Sequence, residues 1–206
     1  MSKRALVVID VQSEYISGKF RIEYPAVEIS LPNIVTAMET AAREDDVLTC
    51  VVLHVLPNDA PIFADGSKGA DLHPDVSAAP YDFLVTKTLP SVFSDPAFEP
   101  WLRENGVDTL TIVGYMTHNC NDATAREAMH KGYKVEMLSD ATGSLPYKNK
   151  GGSVTAEELH RATLTVMESA YAAIMTTQEW MTVLRDGSAP SQDNIFFSNQ
   201  RALGRM

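Results

Sequence analysis

Six short apolar runs, rich in β-branched residues, punctuate the chain: ALVVID at 5–10, VLTCVVLHV at 47–55, FLVTK at 83–87, TLTIVG at 109–114, YKVEML at 133–138 and AAIMT at 172–176. Their hydrophobicity is nearly continuous rather than alternating, which is the pattern of strands covered on both faces. Longer segments with helical spacing fill most of the gaps. The spacing predicts helices over 30–45, 96–105, 121–131 and 177–184, and one from Ser153 or Thr155 to about 169. Gly132 suits the end of the third of these, and Glu157 or Glu158 suits the first turn of the last. Strands alternating with helices predict a three-layer, doubly wound α/β fold around a six-stranded, mainly parallel sheet.

Two stretches exceed a minimal unit of this kind, residues 57–82 and 187–206, and both are rich in turn formers. Loops of such length in a compact domain are usually functional or make contacts. The expected organisation is one domain over 1–186, with the 57–82 insertion overhanging the site like a lid. The tail at 187–206 packs on another subunit or remains disordered. At 206 residues and 45% hydrophobic content, one domain can bury a full core. The formal charge of −10 and the lack of a basic stripe argue against nucleic acid as a partner. No apolar run approaches a membrane span, and MSKRALVVID enters a strand pattern without a signal-peptide core, so a cytoplasmic location is expected. In that setting Cys50 and Cys120 are read as separate thiols.

In an open parallel sheet, ligands bind beyond the carboxyl ends of the strands, near the point where strand order reverses. Asp10 ends the first run, Lys87 ends the third, and Cys120 lies six residues past Gly114, where the fourth run turns into a helix. A free thiol with pKa about 8.5 needs activation at neutral pH. A helix start near Asn119–Asn121 and the Lys87 ammonium would both favour thiolate, and Asp10 could take the proton. Taken singly, each residue has an ordinary role: a turn-capping Asp, a solvated Lys, a packing Cys. Cys50, inside TCVVLHV, is read as core. His118 is two residues from Cys120 and offers a Cys–His dyad as a weaker alternative, while His130 and His160 fit surface or packing positions. No G-x-G-x-x-G follows the first strand and no G-x-x-x-x-G-K-[ST] occurs, so no nucleotide or flavin cofactor is expected.

GYMTHNCNDATAREAMHKGYKVEMLSDATGS at 114–144, with ALVVIDVQSEY at 5–15 and VTKTLPSVF at 85–93, resembles the isochorismatase-like cysteine hydrolases over residues 4 to about 185. The resemblance implies a Rossmann-type sheet and a catalytic triad of Asp10, Lys87 and Cys120 that cleaves through an acyl-enzyme. It also implies a cis bond between Tyr115 and Met116, with the amides of Met116 and Cys120 forming an oxyanion hole. The nicotinamidase branch carries an Asp-x-His with further histidines that bind a metal. Here His54 and His73 stand 19 residues apart without that motif, so no metal is expected. Isochorismatases proper have an Asp where this chain has Cys120. What remains is cleavage of a C–N bond in a small amide, ureide, carbamoyl or lactam, or a catalytically silent relative serving as a binding module. Gln12, Tyr15, Phe63 and Phe93 are the candidate substrate contacts, with Leu89 and Val92 nearby. Relatives commonly form homodimers or homotetramers, and the same is expected here.

Overall fold

The computed structural model describes residues 2–206. At its centre lies β1 (Arg4–Ile9), whose last five residues are all buried. Parallel neighbours β2 (Val47–His54) and β4 (Thr109–Tyr115) flank it, and β3 (Phe83–Lys87), β5 (Lys134–Gly143) and β8 (Ala173–Met175) complete a six-stranded sheet in the order β3-β2-β1-β4-β5-β8. Every pairing is parallel, so the six expected strands are present and the sheet is wholly rather than mainly parallel. The chain builds outward from β1 to β3, then crosses back to β4. The order therefore reverses at the β1–β4 crevice, where this fold class opens a site at the carboxyl ends.

Because side chains alternate along a strand, β1 sends Leu6 and Val8 to one face and Ala5, Val7 and Ile9 to the other. The first face is covered by α2 (Val27–Ala41) and α7 (Thr177–Asp186), with Ile34, Met38 and Trp180 buried against it. The second is covered by α4 (Phe98–Glu104), α5 (Asp122–His130) and α6 (Ala156–Ala170), through Phe98, Leu102, Ala125, Ala128 and Met167. Helices α6 and α7 each begin with a capping box, Thr155 with Glu158 and Thr176 with Glu179, which satisfies amide donors that a bare helix start leaves unpaired. The expected helix at 30–45 starts and ends earlier, at Val27 and Ala41, because Val27 and Ala41 are both buried on its core face.

The 57–82 segment is pinned over the carboxyl edge. Ser13 N–H donates to Asp71 O (2.9 Å), Glu14 N–H to Gly69 O (3.0 Å) and His73 N–H to Val11 O (2.9 Å). It carries the short helix α3 (Pro74–Ala78), which the Nδ1 of His73 caps. Three further features were not anticipated: a one-turn helix at Ser13–Ile16, a β-hairpin of Tyr147–Asn149 and Gly152–Val154, and a helix at Ile195–Ala202 in the tail. Numbered in chain order, these are α1, β6 with β7, and α8.

Gly114 of β4 is register-paired with Ile9 of β1. Its φ is +98°, and a Cβ there would meet the Ile9 carbonyl oxygen at 2.1 Å. Gly114→Ala should therefore lower unfolding free energy by about 2–5 kcal/mol, combining backbone strain with steric overlap. Gly66→Ala, also at positive φ but with nothing within 4 Å, should cost only about 1 kcal/mol. Urea midpoints measure both. Equal losses would show that close approach to β1 does not constrain this position.

Candidate active site

Asp10 continues from β1 with φ 52°, a left-handed conformation that Asp tolerates better than most residues. Its N–H donates to Val52 O (3.1 Å) and its carbonyl accepts from Gln12 N–H (2.8 Å), so the turn is tied to β2 and to itself. Lys87 is the last residue of β3 and is register-paired with His54, the last residue of β2. Cys120 lies in a single π-helical turn, Thr117–Asn121, between β4 and α5. That turn is braced where it leaves the sheet. Asn121 Nδ2 donates to Gly114 O (2.8 Å), Thr124 Oγ1 donates to Cys120 O (2.7 Å), and the amides of Asn119 and Asn121 donate to Met116 O (3.1 and 3.2 Å). The Tyr115–Met116 peptide is cis, as the family resemblance implies.

These segments meet at one ammonium group. Lys87 Nζ donates to Asp10 Oδ2 (2.8 Å) and to Cys120 Sγ (3.4 Å), and it lies 3.1 Å from His54 Nδ1. The Asp10 and Lys87 side chains are both fully buried. A buried charge persists only when paired and hydrogen-bonded, and here each proton of the ammonium has its own acceptor. Asp10 Oδ1, by contrast, has no donor among the described residues. Burial raises the Asp10 pKa above the ordinary carboxyl value, with Lys87 opposing it. Burial also pushes the Cys120 thiol up to about 12; the Asp10 carboxylate adds to the rise, and Lys87 only partly offsets it. Lys87 lowers the thiol pKa, in the expected direction, but burial and the adjacent Asp10 carboxylate raise it by more.

The surroundings sort the other candidates. Tyr15 packs on Phe63 (ring centroids 4.9 Å apart) and on Tyr115 (5.7 Å), and Phe63 meets the His54 ring edge-on at 5.6 Å. Tyr15 and Phe63 thus form one aromatic wall that reaches the His54 ring. Tyr147 and Met116 meet nearby, the Tyr147 hydroxyl 4.0 Å from the Met116 sulfur. Gln12 is fully buried and its amide is engaged with backbone: Nε2 donates to His54 O (2.9 Å) and Ala70 O (2.7 Å), while Oε1 accepts from His54 N–H (2.9 Å). Phe93 does not join the wall. It packs on Phe98 (5.0 Å) and Tyr133 (6.0 Å) beneath the Lys131 ammonium, because the 3₁₀ turn at Val92–Ser94 directs it into the helix layer, and Leu89 is exposed. Cys50 is buried in β2, with its thiol pKa raised by burial, as expected of a core residue. His118 pairs through Nδ1 with Ser144 Oγ (3.0 Å), and among the described residues no hydrogen bond joins it to Cys120.

His54 is the site residue that ligand-spacing arguments passed over. A strand-end rule applied to β2, as it was to β1 and β3, selects it. Donor atoms of Asp10, His54 and Cys120 lie within 4.8 Å of one another, a set that could in principle hold a metal ion. The Lys87 ammonium, however, is within hydrogen-bonding distance of all three. A second cation would have to displace it or strip its proton, so these residues do not fit a resident metal.

The parallel sheet, with Asp10, Lys87 and Cys120 gathered at its carboxyl edge, has the architecture of a hydrolase with a three-layer α/β fold. Residues 4–179 match the isochorismatase domain model, and the chain belongs to the isochorismatase family of hydrolases. It is 46% identical to an isochorismatase-type protein of Burkholderia xenovorans LB400, whose crystal structure superposes with a TM-score of 0.97 over 99% of this chain and 98% of that one. It is 30% identical over 174 residues to a secreted isochorismatase effector of Verticillium dahliae, covering 84% of this chain and 88% of the relative. It is 27% identical to the maleamate amidohydrolase of Pseudomonas putida, covering 89% and 87%.

The arrangement predicts a thiol titration of unusual sign. A carboxylate next to the sulfur disfavours thiolate, so Asp10→Asn should let Cys120 ionise at lower pH than in the wild type, while Lys87→Met should move it higher. Absorbance at 240 nm against pH reads both shifts, with Cys120→Ala subtracted. A higher thiol pKa in Asp10→Asn would contradict the electrostatics described.

Proposed function

We propose that the chain hydrolyses a C–N bond of a small amide, ureide, carbamoyl or lactam compound through a Cys120 acyl-enzyme. The observation that carries this reading is the Lys87 ammonium, shared between Asp10 and Cys120, with Asp10 Oδ1 left open. When a carbonyl carbon reaches the sulfur, the thiol proton passes to Asp10 as the S–C bond forms. The amides of Met116 and Cys120, on the braced turn, receive the carbonyl oxygen as it gains charge. Asp10 returns the proton to the leaving nitrogen as the C–N bond breaks. Water then attacks the thioester with Asp10 as base, releasing the acid and regenerating the thiol. The name of the maleamate amidohydrolase supports amide chemistry in this part of the family. Gln12 acts by positioning rather than by contact, while Tyr15 and Phe63 line the slot for a flat ligand. The need for a reduced nucleophile fits a cytoplasmic setting, where Cys50 and Cys120 stay unpaired.

We also propose that the protein works as a homo-oligomer, joined through its tail. Ile195, Phe196, Leu203 and Met206 are each more than half exposed, all beyond residue 179, where the family match ends. Ile195→Asp with Phe196→Asp should shift the protein to monomer in sedimentation velocity without loss of helicity. A wild type that already sediments as a monomer would refute the interface.

A panel of small amides, ureides and lactams should yield turnover in the wild type. Cys120→Ala should abolish it, and Asp10→Asn should lower kcat about 10²–10⁴-fold, the usual range for loss of a general base. Turnover that survives in Cys120→Ala refutes the acyl-enzyme.

A further inference from the structure

His54 occupies a position that the three-residue mechanism leaves unused. An ammonium has donors only, so at 3.1 Å from Lys87 Nζ the Nδ1 of His54 must be the acceptor. That assigns the ring proton to Nε2 and makes the imidazole neutral. Burial beside Lys87 lowers the His54 pKa to about 4, which keeps it neutral through the physiological range. Nε2 has no partner among the described residues and is not among the buried unpaired atoms, so its N–H meets open space. Asp10, Lys87 and Cys120 are buried, whereas His54 is only partly so, which puts its ring at the boundary between the triad and solvent. Two devices hold it there. Gln12 clasps the His54 backbone from both sides, N–H and C=O, and Phe63 bears on the ring edge from the insertion. Gln12 also donates to Ala70 O (2.7 Å), so the same buried amide ties the His54 backbone to the insertion.

Resting on the hydrolase reading, we propose that His54 Nε2–H is a binding subsite for a second acyl oxygen of the substrate, selecting uncharged compounds with two carbonyls, such as acylureas and imides. One oxygen goes to the Met116 and Cys120 amides; the other accepts from His54. The charges favour a neutral ligand. Asp10 and Lys87 cancel, the thiol and imidazole carry none, and no further cation hydrogen-bonds to the group among the described residues. A carboxylate would enter without a counter-ion, in a chain of net charge −10. The aromatic wall of Tyr15 and Phe63 suits a flat ligand of the same description.

The test uses N-acetylurea, which has two carbonyls, and acetamide, which has one, as protectants of Cys120 against iodoacetamide. N-acetylurea should slow alkylation of the wild type at concentrations where acetamide does not. His54→Ala should weaken that protection about tenfold, the usual worth of one hydrogen bond, and His54→Gln, whose side-chain N–H can reach the same place, should restore part of it. Equal protection by the two compounds, or equal protection of wild type and His54→Ala, overturns the proposal. Long-range 1H–15N correlation on histidine-labelled wild type at pH 5.5–8 should show His54 as the Nε2–H tautomer throughout; an Nδ1–H tautomer or an imidazolium overturns it as well. Turnover persisting in Cys120→Ala defeats the hydrolase reading instead and leaves the tautomer result standing.

Discussion

The site depends on satisfying one buried cation. Lys87 carries its charge into a fully buried position, where an unpaired ammonium would not persist in charged form. Its three protons require three acceptors in fixed directions, and the fold supplies them from the ends of β1 and β2 and from the turn after β4. This requirement explains otherwise separate features. The β2–β3 register must place Lys87 opposite His54, because a slip of one residue would turn Lys87 to the other face of the sheet. Asp10 must leave β1 in a left-handed turn, and β4 must be followed by a π-helical turn rather than an ordinary helix start.

In the proposed acyl-enzyme route, the same ammonium lets a thiol whose pKa burial pushes up to about 12 act as the nucleophile. Before attack, the negative charge sits on Asp10 and the proton on sulfur. As the proton moves to Asp10, the charge moves to sulfur, and Lys87 is in contact with both atoms. The net charge of the group never changes, so the buried site avoids creating an ion and only relocates one beside a fixed cation. Interactions already in place for the developing charge need no reorganisation at the moment of reaction. A resting thiolate would gain little from this arrangement and would be exposed to oxidation and adventitious alkylation.

Much of this was legible in the sequence, for identifiable reasons. Asp10, Lys87 and Cys120 could be placed because near-continuous apolar runs mark strands, and the residue at a strand's carboxyl end falls at the open edge of a parallel sheet. His54 obeys the same rule, whereas metal-ligand spacing sets it against His73, which caps α3 instead. Phe93 shows the limit of reasoning by proximity in sequence: it is six residues from Lys87, yet a 3₁₀ turn sends it into the Phe98–Tyr133 cluster. The thiol pKa was not legible, because its sign depends on how completely burial outweighs a neighbouring cation. Gln12 was read as a substrate contact from its place after Asp10, but its partners, the backbones of His54 and Ala70, lie 42 and 58 residues away.

A cavity also lies far from this group. It measures about 710 Å³ and lies at the opposite end of the sheet, where residues 187–190 and Gln192 roof over Arg4, Thr109, Tyr133 and Glu136. Arg4 and Glu136 in it are engaged with protein groups: Arg4 donates to both carboxylate oxygens of Glu136, and Glu136 accepts from Thr111 Oγ1 at 2.6 Å and from Trp180 Nε1 at 3.2 Å, whereas the buried Tyr133 hydroxyl has no partner among the described residues. No thiol lines it. Helices that pack on a parallel sheet direct their amino ends, with free N–H groups and partial positive charge, toward the carboxyl edge of the strands. The amino edge lacks that electrostatic preparation. The cavity is better understood as space enclosed when the tail folds back across the bottom of the sheet, while Asp10, His54, Lys87 and Cys120 converge at the carboxyl edge.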